Sequence, residues 1–258
     1  MERGRLERIK KVLDRHLNPD LFKITEENPD PILIARTSPD DRVALVSALF
    51  AYGNVKAILK FLKNLEWERL STPGPVYSYY RFQTREDVAR FLDLLRDLGS
   101  SGIRELFEEG VRRGGVMEGL AHLISQFYRL ANYDSPGFQF LIGKVPPAGR
   151  RRGVSPYKRW NMFLRWMVRT GEPDLGRWRF FSPSQLLVPL DVHTHRTALR
   201  LGLLTRKSYD LEAVWQLTET LRQLDPIDPI KYDFLLYRIG QQGWTERFLF
   251  LIERGELF

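Results

Sequence analysis

The stretch that decides the fold is residues 150–204, which read RRRGVSPYKRWNMFLRWMVRTGEPDLGRWRFFSPSQLLVPLDVHTHRTALRLGLL. It contains two predicted helix starts. At the first, Ser155 is a candidate N-cap with Pro156 in the first helical position, and apolar residues then recur at helical spacing. At the second, Asp191 follows the apolar run 186–190 and can cap the next helix. Helices separated by Gly- and Pro-containing connections indicate an all-α arrangement.

Helical periodicity continues outside this stretch. Thr84 and Asp87 have the spacing of a capping box, and Ser38 before Pro39 predicts another N-cap. No segment shows the sustained alternation of apolar and polar residues that is typical of β-hairpins. We therefore expect an all-α protein.

The composition of the 258 residues is that of an ordered protein, with 43% hydrophobic and 28% charged residues. Cysteine is absent, which excludes disulfides, thiol nucleophiles, cysteine-ligated zinc and iron–sulfur clusters. The formal net charge of +8 favours a polyanionic partner. The sequence shows neither a secretory signal nor an apolar run of membrane-spanning length, so we expect a cytoplasmic protein.

Lys158 falls in the first turn of the helix predicted after Ser155. The positive end of the helix dipole and the like charges of the neighbouring arginines favour the neutral form of its amine. A neutral amine is a nucleophile, which makes Lys158 a candidate catalytic residue. The alternative is a solvated lysine, or one that faces phosphate.

Asp191, as an N-cap, accepts backbone N–H groups and stays ionised at the start of its helix. It is a candidate catalytic carboxylate, although most aspartates in this position are only caps. His193 and His195 follow closely, and with Asp191 they raise the alternative of a metal site. Residues two apart on a helix point to different faces, which argues against shared coordination.

Two segments resemble the helix-hairpin-helix superfamily of DNA glycosylases. PLDVHTHRTALRLGLL, residues 189–204, is similar to the segment that carries the catalytic aspartate, and the match places that aspartate at Asp191. SPYKRWNMFLRWMV, residues 155–168, resembles the lysine helix of the bifunctional branch that removes 8-oxoguanine. That match places the nucleophilic lysine at Lys158.

The resemblance implies a two-lobed helix-hairpin-helix glycosylase-like fold with the active site between the lobes. One lobe would comprise residues 1–35 plus 191–258, and the other, residues 36–190, would carry the lysine helix. The family hairpin reads G-x-G directly before the lysine, whereas here Ser155 replaces the second glycine and one residue is added. The chain therefore resembles a divergent branch, close to the archaeal 8-oxoguanine glycosylases and to an uncharacterised prokaryotic family.

The segment GWTERFLF, residues 243–250, resembles the helix that closes the base pocket of 8-oxoguanine glycosylases. The resemblance implies that Trp244, Glu246 and Phe250 contact the base. Glu246 stands where the family has an amide. An ionised carboxylate only accepts hydrogen bonds, so the base recognised here can differ from 8-oxoguanine. The alternative for Phe250 is ordinary core packing.

The resemblance also implies contacts with the DNA backbone by His193 and Arg196 at the start of a helix. Further phosphate contacts are expected from the arginines around the hairpin, Arg150, Arg151, Arg152 and Arg159. Tyr52 and Asn54 are candidates to fill the gap that an extruded base leaves. The alternatives are a core tyrosine and a helix cap.

The expected function is that of a DNA repair glycosylase with AP lyase activity, acting as a monomer without cofactor or metal. The expected partner is double-stranded DNA that contains a damaged base, with 8-oxoguanine favoured. Two alternatives stay open. One is a DNA- or RNA-binding protein of the same fold without catalysis, and the other is a metal-dependent hydrolase built on Asp191, His193 and His195.

Overall fold

The computed structural model describes residues 3–18, 23–25 and 28–254. The regular secondary structure of these residues is helical, and an isolated β-bridge between Tyr80 and Gln83 does not extend into a strand. The all-α prediction is therefore confirmed. None of the helices within the described residues is long and apolar enough to cross a lipid bilayer.

Twelve α-helices lie in the described part of the chain. In order they are α1 (Arg3–His16), α2 (Ile32–Ala35), α3 (Asp41–Leu49), α4 (Val55–Lys63), α5 (Arg85–Gly114), α6 (Val116–Ala131), α7 (Pro136–Ile142), α8 (Lys158–Val168), α9 (Val192–Leu201), α10 (Leu211–Leu224), α11 (Asp233–Gln241) and α12 (Thr245–Arg254). Helix α5 is interrupted at Gly99, where φ is 72°.

The contacts divide the chain into two compact units. Unit 1 comprises Met1–Lys23, Arg150–Pro173 and Arg179–Phe258, and unit 2 comprises Ile24–Gly149 and Asp174–Trp178. The division differs from the predicted lobes in one respect that matters for function. Helix α8 groups with the terminal helices and not with the central segment, so the lysine and aspartate predicted to be catalytic belong to the same unit.

In unit 1, a buried ion pair joins α8 to α11. An Nη1 donor of Arg165 lies 2.7 Å from Oδ2 of Asp233, and both side chains are less than one-tenth exposed. The apolar face predicted for α8 is also buried, with Trp160 and Phe163 among its residues. This combination explains why α8 belongs with the C-terminal helices.

Helix α11 also packs closely along α9. A Cβ atom at Gly240 would lie 2.6 Å from Oγ1 of Thr197 and 2.9 Å from the carbonyl oxygen of His193. Contacts this short leave no room for a side chain, so a glycine is required here. The close approach fixes α11 against the helix that Asp191 precedes.

In unit 2, the detached segment Asp174–Trp178 is held by a buried indole. Nε1 of Trp178 donates a hydrogen bond to Oδ2 of Asp41 at 2.7 Å, and its ring lies 5.6 Å from that of Phe107. A buried indole that has both an apolar contact and a hydrogen-bond partner is stably placed. This explains why the segment groups with α3 and α5.

The predicted helix starts are partly confirmed. Thr84 forms the expected capping box with Asp87 at the start of α5. Helix α3 is capped by Asp40, whose side chain accepts a hydrogen bond from the N–H of Arg42. The prediction that Ser38 is the N-cap is therefore wrong. Helix α8 begins at Lys158 and not at Pro156, because the residue between them has a left-handed backbone.

Candidate active site

Lys158 is the first residue of α8. The chain enters the helix through Tyr157, whose φ of 48° is uncommon for a residue other than glycine. The hydroxyl of Ser155 accepts the N–H of Tyr157 at 3.3 Å, and the side-chain amide of Asn161 donates to the carbonyl of Pro156 at 3.1 Å. These contacts fix the turn before α8 and therefore the point from which the lysine side chain departs.

The two carboxylate oxygens of Asp191 have different partners. Oδ1 accepts the N–H of Thr194 at 2.8 Å, which confirms the predicted N-cap of α9. Oδ2 lies 3.5 Å from Nζ of Lys158. The structure thus brings together the lysine and the aspartate that the sequence singled out.

The lysine of this pair is partly exposed, whereas the aspartate is largely covered. The side chain of Lys158 is 35% exposed, and that of Asp191 is 11% exposed. Their separation of 3.5 Å is longer than the 2.7–2.9 Å typical of a charge-assisted hydrogen bond. The amine is therefore near a fixed carboxylate without being locked onto it, and a substrate can reach it.

Tyr209 supports the segment that leads into Asp191. Its hydroxyl donates to the carbonyl oxygen of Leu190 at 2.7 Å. Burial, reinforced by the negative charge of Asp191, raises the pKa of Tyr209 far above its ordinary value, so it stays a neutral donor. The sequence analysis did not identify this residue, because nothing in the local pattern links it to a carbonyl nineteen positions earlier.

A second carboxylate interacts electrostatically with the lysine and the aspartate. Burial raises the pKa of Asp233 to about 6, and the charge of Asp191 acts in the same direction, while Arg165 and Lys158 oppose the shift. We call these four residues the charge cluster. The sequence did carry a signal for it, because Arg165 falls among apolar residues of α8 and a buried arginine requires an acidic partner.

The hairpin segment, residues 150–157, is held by the start of α10. The N–H of Gly153 donates to Oδ2 of Asp210 at 2.8 Å, and the carbonyl of Val154 accepts the N–H of Leu211 at 2.9 Å. Asp210 is also the N-cap of α10. The backbone of the hairpin segment is therefore fixed to a helix start.

The arginines predicted to contact phosphate lie at or near the surface. Those of the hairpin segment, Arg150, Arg151 and Arg152, are exposed, as is Arg196 on α9, and Arg159 is half-buried. The guanidinium of Arg151 lies 4.0 Å from the centroid of the Trp215 ring, which orients it by a cation–π contact. Contacts of these residues with DNA stay a prediction.

The two histidines do not converge on a metal site. His195 is buried, and its Nε2 lies 3.2 Å from the carbonyl oxygen of Arg206. His193 is exposed, with its ring 5.9 Å from that of Tyr237. Within residues 3–18, 23–25 and 28–254, no group of three His, Asp or Glu side chains has a geometry that could hold a metal ion. The geometry argues against joint coordination of a metal by Asp191, His193 and His195.

Among the residues predicted to read the base, Glu246 is held near the end of α9 that is remote from Asp191. Glu246 in α12 forms an ion pair with Arg200, which is in the last turn of α9. At about 1.5 Å per residue, Arg200 is about 14 Å along the helix from Asp191. Trp244 and Phe250 are 41% and 49% exposed, so core packing does not explain Phe250. Base contacts by these side chains stay a prediction.

The residues predicted to fill the gap in DNA lie in unit 2. Asn54 is the N-cap of α4, with Oδ1 accepting the N–H of Lys56 at 2.9 Å. Tyr52 is half-buried, and its hydroxyl donates to the side chain of Gln83. In the structure, Asn54 is a helix cap and Tyr52 is a packed tyrosine, which are the structural alternatives to contacts with DNA. A further role of either residue at DNA stays a prediction.

Comparison with curated proteins and with solved structures finds no significant match. A family model matches residues 30–242, which is more than half of the chain. The matched region contains Lys158 and Asp191, whereas the predicted base-reading segment begins after it ends. By this match, the chain belongs to the family described as protein of unknown function (DUF2400).

Proposed function

We propose that this protein is a DNA glycosylase with AP lyase activity, in which Lys158 is the nucleophile and Asp191 its carboxylate partner. The observation that carries the proposal is the distance of 3.5 Å between Nζ of Lys158 and Oδ2 of Asp191. An exposed amine beside a carboxylate that a helix N-terminus fixes is the arrangement that imine chemistry at a sugar requires.

In the first step, the neutral amine of Lys158 attacks C1′ of the damaged nucleotide. The N–C1′ bond forms as the glycosidic bond breaks, and the base leaves with the proton that the attacking nitrogen loses. Positive charge develops on the sugar, and the carboxylate of Asp191 stabilises it from a position that the Thr194 N–H holds. Opening of the sugar ring gives an imine at C1′, and loss of a C2′ proton then breaks the C3′–O bond. None of these reaction steps changes an oxidation state overall, so no oxidant or reductant is needed.

The surroundings of the pair support duplex DNA as the substrate. The exposed arginines of the hairpin segment lie on the same stretch of chain as Lys158, and neutralising several phosphates would give affinity that falls with salt. Reaching C1′ requires the damaged nucleotide to leave the base stack. The preference for 8-oxoguanine and the two-lobed helix-hairpin-helix glycosylase-like fold are parts of the proposal that rest on the sequence resemblance.

Borohydride trapping tests the proposal. The protein is incubated with a duplex that carries either 8-oxoguanine or an abasic site, and hydride then reduces the imine to a stable amine. We expect a covalent protein–DNA adduct with the natural chain and none with Lys158→Ala. Lys207→Ala, which removes an exposed lysine of the same unit, is the matched control and should trap normally. No adduct on either duplex, or an adduct with Lys158→Ala, would overturn the proposal.

A further inference from the structure

Unit 2 carries three neighbouring aromatic side chains, of which two are exposed and have no part in the proposed reaction. Tyr52, Phe82 and Phe140 come from three separate segments and form what we call the aromatic patch. The ring centroids of Phe82 and Phe140 are 4.6 Å apart, and Tyr52 lies 5.0 Å from Phe140. Tyr52 and Phe82 have nearly parallel planes, with 6.2 Å between their centroids. The three rings thus form one continuous surface.

Two of the three rings of the aromatic patch are exposed to solvent. Phe82 is 56% exposed and Phe140 is 43% exposed. Single apolar side chains are often exposed, but neighbouring phenylalanines that leave much of their ring area in water are typical of a binding surface. The aromatic patch therefore calls for a ligand that covers aromatic rings.

Hydrogen bonds join the three segments of the aromatic patch. The hydroxyl of Tyr52 donates to the side-chain carbonyl of Gln83, which adjoins Phe82. The amide of Gln83 in turn donates to the carbonyl of Gly137 at 2.8 Å, on the helix that carries Phe140. Because the rings are already in place, a ligand that covers them orders few side chains on binding.

Positive charge borders the aromatic patch. The guanidinium of Arg81 lies 5.8 Å from the centroid of the Phe82 ring. The same guanidinium packs against Gly53, where a Cβ atom would collide with Nη1 of Arg81. Lys56, which follows Tyr52 by four positions along the chain, is exposed in the first turn of α4. Within the described residues, no carboxylate forms an ion pair with Arg81 or Lys56, so both cations are available to an anionic ligand.

We infer that the aromatic patch binds unpaired nucleobases of a single-stranded nucleic acid. Bases stack on the rings, and Arg81 and Lys56 face the phosphates. Exposed rings beside unpaired cations match the two parts of a nucleotide, and stacking accepts any base because each has a π face. The inference goes beyond the proposed reaction and does not depend on Lys158.

Fluorescence anisotropy with three labelled strands of about 15 nucleotides tests the inference. The strands are oligothymidine, oligouridine and a strand of tetrahydrofuran abasic analogues of the same length and charge, which cannot form an imine with an amine. We expect the base-containing strands to bind about 10-fold more tightly than the abasic strand, because only they can stack. The ratio of the first two strands shows whether DNA or RNA is preferred. Equal affinity for base-containing and abasic strands would overturn the inference.

Substitutions locate the effect. Phe82→Ala and Phe140→Ala should each weaken binding of the base-containing strands about 10-fold and leave binding of the abasic strand unchanged. Phe82→Leu, which keeps apolar volume but lacks a π face, should resemble Phe82→Ala. Leu130→Ala removes an apolar side chain of similar exposure in the same unit and should have no effect.

The failure of this inference can be told apart from the failure of the proposed reaction. The two proposals are tested by different measurements on residues of different units: trapping tests Lys158 in unit 1, and the affinity ratio of base-containing and abasic strands tests the aromatic patch in unit 2. Circular dichroism establishes that each variant is folded. Full binding by a folded Phe82→Ala/Phe140→Ala variant contradicts the inference, whatever the result of trapping.

Discussion

Two ion pairs that join helix α8 to later segments of the described chain differ in almost every physical respect. At the start of the helix, the amine of Lys158 lies 3.5 Å from Asp191 and its side chain is one-third exposed. In the middle of the helix, Arg165 lies 2.7 Å from Asp233, and both side chains are buried. The first pair is loose and open to solvent, whereas the second is short and closed.

The contrast shows that solvent access decides what a lysine or arginine paired with an aspartate can do. A buried pair whose partner is removed leaves a charge without water, which is costly. In the Lys158–Asp191 pair the lysine is one-third exposed and the covered carboxylate keeps the Thr194 N–H, so loss of the amine should cost less stability. We therefore expect the fold to depend on the middle of α8 and the activity on its first residue.

Arg165→Ala should give the largest effect. It leaves the carboxylate of Asp233 buried without its partner, so we expect the free energy of unfolding to fall by about 3 to 5 kcal/mol. Urea denaturation measures this fall. Lys158→Ala should lower the same quantity by less than about 1 kcal/mol. Arg112→Ala, which breaks an exposed pair on α5, is a control that should change it little. Equal urea midpoints for all three variants would remove the distinction between the pairs.

The closed pair should also make stability depend on pH. Burial raises the pKa of Asp233 to about 6, so the folded protein holds this proton more tightly than the unfolded chain, where the pKa is about 3.9. The contribution of Asp233 to stability is then fully present below about pH 4 and is lost as the pH rises through about 6. Asp233→Asn cannot titrate but can still accept a hydrogen bond from Arg165.

The measurement is urea denaturation of the natural chain and Asp233→Asn between about pH 4 and pH 7. Relative to the variant, the natural chain should lose on the order of 2 to 3 kcal/mol over this range. Other carboxylates, such as Asp87, have lowered pKa values and change stability in the opposite sense. Their contributions are the same in both proteins, so they cancel in the difference between the two free energies of unfolding. Parallel stability curves would show that Asp233 keeps an ordinary pKa.

The comparison also shows which features a sequence can predict. The caps at Asp191, Asn54 and Thr84 were predictable because a cap depends on a side chain and backbone groups within a few residues of it. The contact between Lys158 and Asp191 was expected only through the family resemblance. Arg165 and Asp233 are 68 positions apart, and no local pattern pairs them.

Two other features could not be predicted for related reasons. The start of α8 was placed too early because Tyr157 adopts a backbone conformation that its residue type disfavours, and neighbouring contacts must impose it. The aromatic patch combines three distant segments, and an exposed phenylalanine looks like a core residue in sequence. Only the folded chain shows which aromatic residues are left in water.

Asp191→Asn sharpens the comparison at the open pair, because it separates the charge from the cap. Asparagine caps helices as well as aspartate, so the free energy of unfolding should change by less than about 1 kcal/mol. The loss of the negative charge beside C1′ should slow adduct formation about 100-fold. Asp191→Ala removes the cap as well and should additionally cost about 1 kcal/mol of stability. Trapping by Asp191→Asn at the natural rate would leave the aspartate with a structural role alone.

Glu246→Gln should have the smallest effect, and one confined to the choice of base. The Glu246 ion pair with Arg200 is on the surface, so unfolding should be unchanged. An abasic duplex has no base to read, and Glu246 pairs with the far end of α9 from Asp191, so trapping on that duplex should also be unchanged. Glutamine adds an N–H donor, so relative trapping rates across duplexes with single lesions should shift. Arg247→Gln, at the next exposed position, should leave them as they are. An unchanged lesion preference in Glu246→Gln would exclude this carboxylate from base recognition.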